Sequence, residues 1–266
     1  MTTSASVLER NGCPLHYWLS GREDAPLIVL THGATLDHRM FDAQLDVLTQ
    51  NYRVLTWDMR GHGDSQPMGT AFTVPGAADD LQAILDALDV QQAIFVGQST
   101  GGYVVQELVF RHPERVQALV MIDCTCITLK LSLAERLTLA STPYLFLVYP
   151  YGLLKKQTAT GSSIKPEVQA YIAEAIDRIS RKDFIAIWTG VAKCLHYEPG
   201  YSIQQPILLV QGDHDKLGNI AKVAPIWAAR DPKCEFVMIP DAGHCSNQDN
   251  PAFFNQTMLE FLGRQA

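Results

Sequence analysis

The chain has 266 residues, of which 47% are hydrophobic, and a formal net charge of −7 at pH 7. This length suits one large α/β domain, or a domain that carries a sizeable insertion. The negative charge argues against a nucleic-acid partner, which would need a basic face, and no apolar stretch is long enough to span a bilayer.

The N-terminal segment and the cysteines bear on the cellular compartment. The first ten residues have neither the basic nor the apolar region of a secretory signal peptide, which predicts a cytoplasmic protein. The six cysteines include no Cys-x-x-Cys pair, so we expect reduced, mostly buried thiols rather than a disulfide framework. Cys124 and Cys126 directly follow a predicted strand, and we interpret them as small packing residues rather than as a redox or metal pair.

Short apolar runs rich in β-branched residues recur along the chain and predict strands. Residues 6–20 have the pattern of an antiparallel hairpin that turns near Asn11-Gly12. Six further runs predict strands that are buried on both faces. These runs lie at 27–30, 53–56, 94–96, 118–122, 207–210 and 236–239.

Helical patterns alternate with these strands. Residues 77–88 place Leu81, Ile84 and Leu85 on one face, and a last helix is expected at about 251–262. Strands that alternate with helices form parallel sheets with helices on both faces. The sequence therefore predicts an α/β fold around a mostly parallel eight-stranded sheet.

One segment interrupts this alternation. Between 124 and 198 the pattern is helical, no buried strand is expected, and aromatic residues are dense near its start. We interpret this segment as a helical cap over the sheet edge where the strands end, inserted into a core domain of residues 1–123 and 199–266. Extra helices packed on a face of the sheet are the alternative. A stretch rich in Thr, Gly and Ser at 158–163 predicts a mobile loop within the cap.

The predicted cap also differs from the core in charge. It has nine Lys or Arg residues and six Asp or Glu residues, which give it a net charge of +3. We interpret this excess as an ordinary solvated helix surface. Steering of anionic substrates is the alternative.

The most informative motif is Gly97-Gln98-Ser99-Thr100-Gly101, which lies between the strand at 94–96 and a predicted helix. A serine at the apex of so sharp a turn has a strained backbone and an exposed hydroxyl. Glycines two residues away on each side let the strand and the helix approach closely. The arrangement is that of a nucleophile elbow, which predicts Ser99 as the nucleophile of a serine hydrolase.

The partners of Ser99 are predicted from the strand ends. A serine hydroxyl needs a base to take its proton, and that base needs a carboxylate to orient it. In doubly wound sheets such groups gather beyond the carboxyl ends of the strands. Asp215 follows the strand at 207–210 and His244 follows the strand at 236–239, so the predicted triad is Ser99, His244 and Asp215.

Other titratable residues near these motifs have competing interpretations. Asp213 lies in the same loop as Asp215 and competes with it for the role of the acid. The position of Asp215 in the motif favours Asp215. Asp123, at the end of another strand, is the main rival for the role of the acid. His32 and His62 are expected to hydrogen-bond the backbone.

Acyl transfer also requires backbone N–H groups that face the developing oxyanion. Thr100, at the start of the helix after Ser99, supplies one N–H together with the positive end of the helix dipole. The second N–H is expected from the loop after the strand at 27–30, where we choose Ala34.

With these motifs in order, the chain resembles the α/β-hydrolase family over essentially its whole length. The resemblance implies the α/β-hydrolase fold, a triad of Ser99, His244 and Asp215, and a cap that shapes the substrate pocket. Besides the elbow, the motifs that carry it are His32-Gly33-Ala34, Asp58-Met59-Arg60-Gly61-His62-Gly63-Asp64-Ser65, Gly212-x-x-Asp215, and Ala242-Gly243-His244 with Pro251.

The expected reaction is hydrolysis of a carboxylic ester, thioester or lactone of a small to medium hydrophobic substrate, with no metal or organic cofactor. Haloalkane dehalogenases and epoxide hydrolases of this family require an aspartate at the position of Ser99, which counts against both chemistries. A carbon–carbon bond hydrolase, a cofactor-free perhydrolase and a non-enzymatic ligand receptor stay open. A diketone substrate would reveal the first, peroxide-dependent halogenation would reveal the second, and multiple turnover would exclude the third. The sequence leaves open whether the chain forms a homo-oligomer.

Overall fold

The computed structural model describes residues 4–265. Residues 1–3 and 266, which belong to the predicted core domain, lie outside the described part. Residues 1–3 are also part of the N-terminal segment that we expect not to be a signal peptide. All eight predicted strands are present. They are β1 (Ser4–Arg10), β2 (Cys13–Gly21), β3 (Leu27–Thr31), β4 (Arg53–Trp57), β5 (Ala93–Gln98), β6 (Val116–Ile122), β7 (Ile207–Gly212) and β8 (Cys234–Ile239).

The strands form one mostly parallel sheet in the order β1-β2-β4-β3-β5-β6-β7-β8. β1 and β2 pair antiparallel around Asn11 and Gly12, whose φ angles of 52° and 76° form the turn that this residue pair predicts. β2 also pairs antiparallel with β4, and every other neighbouring pair is parallel. The carboxyl ends of the parallel strands therefore meet at one edge of the sheet, where the loops after β3, β5, β7 and β8 gather.

The expected burial on both faces is found for the central strands but is wrong for β8. Residues of β3, β5 and β7 are all buried, whereas in β8 Met238 is 46% exposed. The reason is position, because β8 is the last strand of the sheet and pairs with β7 alone.

Helices cover the sheet and fill the segment between β6 and β7. The helix predicted at 77–88 begins earlier, at Val74. The Thr73 side chain caps the helix there by accepting the Gly76 N–H at 3.0 Å. The last helix has the predicted bounds. The helices are α1 (Asp42–Leu48), α2 (Val74–Ala87), α3 (Thr100–Arg111), α4 (Leu133–Val148), α5 (Tyr151–Ser162), α6 (Pro166–Asp177), α7 (Arg181–Ala192), α8 (Ile220–Arg230), α9 (Ser246–Asp249) and α10 (Pro251–Leu262).

Four of these helices, α4 to α7, occupy the segment that the sequence predicts to be helical, and no strand lies within 124–198, all of which is described. The mobile loop expected at 158–163 is wrong, because α5 continues to Ser162. The hydroxyls of Thr158 and Thr160 donate to carbonyl oxygens of the preceding turn, at 2.9 and 3.0 Å, and Ala159 is buried. The polar side chains that suggested a loop are thus satisfied inside the helix.

No helix of residues 4–265 is both long enough and apolar enough to cross a bilayer.

Candidate active site

Ser99 lies at the apex of the turn between β5 and α3. Its φ and ψ of 50° and −115° are strained for a residue with a side chain. A Cβ on Gly97 would lie 2.6 Å from the backbone of Gly101, and a Cβ on Gly101 would lie 2.1 Å from the carbonyl oxygen of Thr31. Both distances are far below van der Waals contact, so this turn requires glycine at both positions.

His244 and Asp215 form a buried pair at the same sheet edge. Nδ1 of His244 lies 3.0 Å from Oδ2 of Asp215, and the Leu217 N–H donates to Asp215 Oδ1 at 2.9 Å. Because an ionised carboxylate only accepts hydrogen bonds, Nδ1 carries the proton of a neutral His244 and Nε2 is unprotonated. The Gln98 side chain donates to the His244 carbonyl oxygen at 2.6 Å, which joins the elbow to the loop that carries the histidine.

Ser99 and His244 border the same cavity, which has a volume of about 220 Å³. Within residues 4–265, no group hydrogen-bonds to the Ser99 hydroxyl. In hydrolases without substrate such contacts are often long and shorten only in the complex. The cavity walls are mainly apolar and come from the loops of the sheet and from the helices between β6 and β7. They include Leu36, Phe146, Ile172, Trp188 and Leu217.

The surroundings of His244 favour its protonated form. Burial opposes the charge, but the hydrogen bond from His244 to Asp215 and the negative charges of Asp215 and Asp123 outweigh that cost. The pKa of His244 is therefore raised above its ordinary value. A raised pKa makes the neutral ring a stronger base.

Asp213, the nearer rival of Asp215, is bonded elsewhere. Its Oδ1 accepts the Ala242 N–H at 3.1 Å, and its side chain is partly exposed. The geometry thus pairs Asp215, rather than Asp213, with His244.

Asp123, the second rival, is fully buried and bonded to backbone on both sides. Its Oδ1 accepts the Gly212 N–H and its Oδ2 accepts the Ser246 N–H, both at 2.8 Å. Burial raises the pKa of Asp123 to about 7. Asp123 therefore joins the end of β7 to the start of α9, two residues beyond His244.

Ala34 and Thr100, the two predicted oxyanion donors, both lie next to Ser99. Ala34 borders the cavity together with Ser99, and Thr100 is the buried first residue of α3. The loop that carries Ala34 approaches the elbow closely, since a Cβ on Gly33 would lie 2.2 Å from Oε1 of Gln98. The first N–H groups of a helix lack partners within it, so the Thr100 N–H can bind an anion.

The family model for the alpha/beta hydrolase fold matches residues 26–251. The chain belongs to the α/β-hydrolase family. This hydrolase is 38% identical to 3-oxoadipate enol-lactonase 1 of Acinetobacter baylyi over 99 residues, a match that covers 37% of each chain. It is 26% identical over 258 residues to RutD of Pseudomonas savastanoi, which is provisionally named a carbamate hydrolase. This match covers 91% of this chain and 95% of the relative. The crystal structure of a hydrolase from Pseudomonas aeruginosa has a TM-score of 0.79 at 29% identity and covers 97% of this chain and 98% of that chain.

In this hydrolase, Asp58 supports the site from the turn at 58–65. Its Oδ1 accepts both the backbone N–H and the Nδ1–H of His38, at 2.8 and 2.9 Å, and its Oδ2 accepts the Asp64 N–H at 2.7 Å. The His38 ring stacks on Trp18 with the ring centroids 3.7 Å apart. Sequence reasoning missed His38, because no motif marks it.

His32 and His62 bond the backbone, as the sequence predicts. Nδ1 of His32 donates to the Gly33 carbonyl oxygen at 2.8 Å, and its Nε2 accepts the Met59 N–H at 3.0 Å. Nδ1 of His62 donates to the Arg60 carbonyl oxygen at 3.0 Å. Burial lowers the pKa of His32, and it lowers the pKa of His62 to about 3. Both rings are therefore neutral structural groups.

A second buried carboxylate, Asp249, joins the segment between α5 and α6 to the loop of His244. Oδ2 of Asp249 accepts the Gly243 N–H at 2.7 Å and the Ile164 N–H at 3.1 Å, while Oδ1 accepts the Ser163 hydroxyl. Gly243 directly precedes His244, so the position of the histidine depends on this carboxylate. No sequence motif marks Asp249, because its partners at 163 and 164 are remote in the chain.

Within residues 4–265, no group of three or more His, Cys, Asp or Glu side chains is arranged to hold a metal ion. All six cysteines are described; each is a free thiol and five are buried. Burial raises the pKa of Cys124 and of Cys126, which keeps both thiols protonated and agrees with a packing role.

Proposed function

We propose that this hydrolase cleaves a carboxylic ester, thioester or lactone of a small to medium hydrophobic compound through an acyl-enzyme. Ser99 is the nucleophile and His244 is the general base. Asp215 orients the imidazole and stabilises its cationic form, while the N–H groups of Ala34 and Thr100 bind the oxyanion. The mechanism needs no metal or organic cofactor.

The observation that carries this proposal is the meeting of two strand ends at one cavity. Ser99, on a strained turn after β5, borders the same cavity as His244, whose ring Asp215 holds at 3.0 Å. The three residues come from distant parts of the chain. A structural role for Ser99 alone would not account for the backbone strain at its position.

The steps follow from these positions. Nε2 of His244 takes the Ser99 proton as Oγ attacks the carbonyl carbon, and negative charge develops on the carbonyl oxygen. The imidazolium then gives its proton to the leaving oxygen or sulfur, and the carbon–oxygen or carbon–sulfur bond breaks. Water, activated by the same histidine, attacks the acyl-enzyme and releases the acid and the free Ser99 hydroxyl.

The cavity indicates the size and polarity of the substrate. A volume of about 220 Å³ with mostly apolar walls fits a short acyl or alcohol portion. Phe146, Ile172 and Trp188 reach this cavity from α4, α6 and α7. We therefore assign 124–198 as a cap that shapes the pocket, on a core of 1–123 and 199–266.

The relatives support carbonyl chemistry of this kind. A relative named an enol-lactonase acts on a lactone, which is a cyclic ester. A lactone and an open-chain ester require the same attack on a carbonyl carbon, so one triad serves both.

The direct test is hydrolysis of p-nitrophenyl acetate, butyrate and octanoate and of a small lactone, under multiple turnover. We expect the shorter esters to be cleaved fastest, because the cavity is small. Ser99→Ala should reduce kcat by roughly 10⁴- to 10⁶-fold and leave the circular dichroism spectrum unchanged. Inertness toward every ester, thioester and lactone offered would contradict the proposal, and single turnover alone would favour a ligand receptor.

A further inference from the structure

The helix α4 has no buried residue along its whole length, although it is rich in leucine and aromatic residues. Leu133, Leu137, Tyr144 and Val148 are 71%, 62%, 72% and 81% exposed. Their spacing places them along one side of the helix, which we name the outer face of α4.

The opposite side of α4 is already packed on the protein. Leu139 and Phe146 are half-buried there, and Phe146 contacts Trp188 of α7 edge to face and borders the active-site cavity. A surface helix normally turns polar residues outward when its other side is packed. An outer face of large apolar side chains instead marks an interaction surface.

A basic side chain lies at each end of this helix. Arg181 donates to carbonyl oxygens at its end, and Lys222 lies 3.5 Å from Glu135 near its start. Together with Arg136 and Glu135 of α4 itself, these two basic residues give a net charge of +2 at the helix, in a chain whose net charge is −7.

We propose that the outer face of α4 docks on the surface of an anionic phospholipid bilayer. The apolar side chains of Leu137, Tyr144 and Val148 enter the boundary between headgroups and acyl chains, and Arg136 and Arg181 lie against the lipid phosphates. Tyrosine suits this depth, because its ring is apolar and its hydroxyl stays hydrated.

Charge distinguishes this partner from a second copy of the chain. A symmetric dimer through α4 would bring two faces of the same positive charge together, whereas an anionic bilayer offers the opposite charge. Docking would also place the cavity behind Phe146 next to the membrane, where hydrophobic esters partition. Binding itself does not depend on the proposed hydrolysis, and the Ser99→Ala variant should bind as the wild type does.

The test is co-sedimentation of the full chain with sucrose-loaded vesicles of phosphatidylcholine, alone or mixed with phosphatidylglycerol. The test variant is Leu137→Glu/Tyr144→Glu. The matched control is Ile226→Glu/Phe253→Glu, which adds the same charge at exposed apolar positions on α8 and α10. Circular dichroism verifies that both variants fold.

We expect the wild type and the control to bind the anionic vesicles, and the test variant to bind at least about tenfold more weakly. Wild-type binding should weaken with added salt and without phosphatidylglycerol, because the lipid phosphates attract the basic residues. The proposal would be overturned if the wild type did not bind the anionic vesicles at low ionic strength. It would also be overturned if the control variant lost as much binding as the test variant. A wild-type dimer in light scattering that the test variant dissociates would assign the face to a second copy instead.

Discussion

Nδ1 of His244 lies 3.0 Å from Oδ2 of Asp215, across 29 residues of sequence. The two residues follow β8 and β7, the last two strands of the sheet, which are neighbours and parallel. Parallel pairing brings their following loops to the same edge, so the hydrogen bond is a consequence of the topology. It fixes which imidazole nitrogen carries the proton and leaves the other free for the proton transfer that we propose.

Asp215→Asn should lower kcat by about 10³- to 10⁴-fold, because the amide no longer stabilises the imidazolium and can favour the wrong tautomer. Asp213→Asn is the matched control in the same loop, since its carboxylate bonds the Ala242 N–H instead. It should retain activity within about threefold. Steady-state hydrolysis of p-nitrophenyl butyrate by both variants is the measurement. A larger loss in Asp213→Asn would reverse the assignment.

Activity should rise with pH, because His244 acts as a base only when it is neutral. Its pKa is raised by Asp215 and Asp123 against the cost of burial, so the midpoint of kcat/KM should lie above the ordinary histidine value of about 6.5. Asp215→Asn removes the main group that raises this pKa, and the midpoint of its residual activity should move to lower pH.

Asp123→Asn is the control for this pH profile, since burial raises the pKa of this second carboxyl group to about 7. We expect the rise in activity to persist in this variant. If the rise disappears there, Asp123 rather than His244 is the group that titrates.

Ser99→Gly should stabilise the protein by about 1 kcal/mol while abolishing hydrolysis. At the φ of 50° found for Ser99, a residue with a Cβ is strained and glycine is not. Glycine also has more conformational entropy in the unfolded chain, which offsets part of this stabilisation. Ser99→Ala keeps the Cβ and should change the free energy of unfolding by less than about 0.5 kcal/mol. Urea unfolding of the three proteins measures this difference, and equal stability of the Gly and Ala variants would show that the turn is not strained.

Asp249→Ala should destabilise the protein by about 2–3 kcal/mol, because it leaves the buried Gly243 N–H and the partly buried Ile164 N–H without their acceptor. It should also lower kcat by about 10- to 100-fold, since the loop of His244 loses its attachment to the segment between α5 and α6. Ser163→Ala, which removes one hydroxyl and keeps the carboxylate, should cost about 1 kcal/mol and little activity.

Hydrogen exchange distinguishes this attachment from general destabilisation. In Asp249→Ala the amides of Gly243 and Ile164 should exchange faster, while those of the central strand β5 should change only as far as global stability changes. Uniform acceleration throughout the chain would indicate a purely structural role for Asp249.

The sheet could be predicted from the sequence because its strands depend on local signals, and the same strand ends supplied the candidate residues. Buried strands read as apolar runs, and the loops after them meet at one edge, which brings Ser99, Asp215 and His244 near one another once the topology is known. Interactions between remote polar residues leave no such signal. The hydrogen bonds from His38 to Asp58 and from Ile164 to Asp249 depend on how the loops cross in space.

The helical segment at 124–198 was harder to predict in detail. Thr158 and Thr160 suggested a loop because their side chains usually compete with helix hydrogen bonds, yet here both hydroxyls bond within α5. In α4 the dense aromatic residues do not reveal which of them are buried, because Phe146 borders the cavity while Tyr144 is exposed.

The most direct measurement is mass spectrometry of the protein after treatment with a p-nitrophenyl alkylphosphonate. Such a reagent phosphonylates an activated serine and imitates the tetrahedral intermediate. We expect one adduct, on the peptide that contains Ser99, with much slower labelling in His244→Ala and none in Ser99→Ala. An adduct on another residue, or unchanged labelling of Ser99→Ala, would contradict Ser99 as the nucleophile.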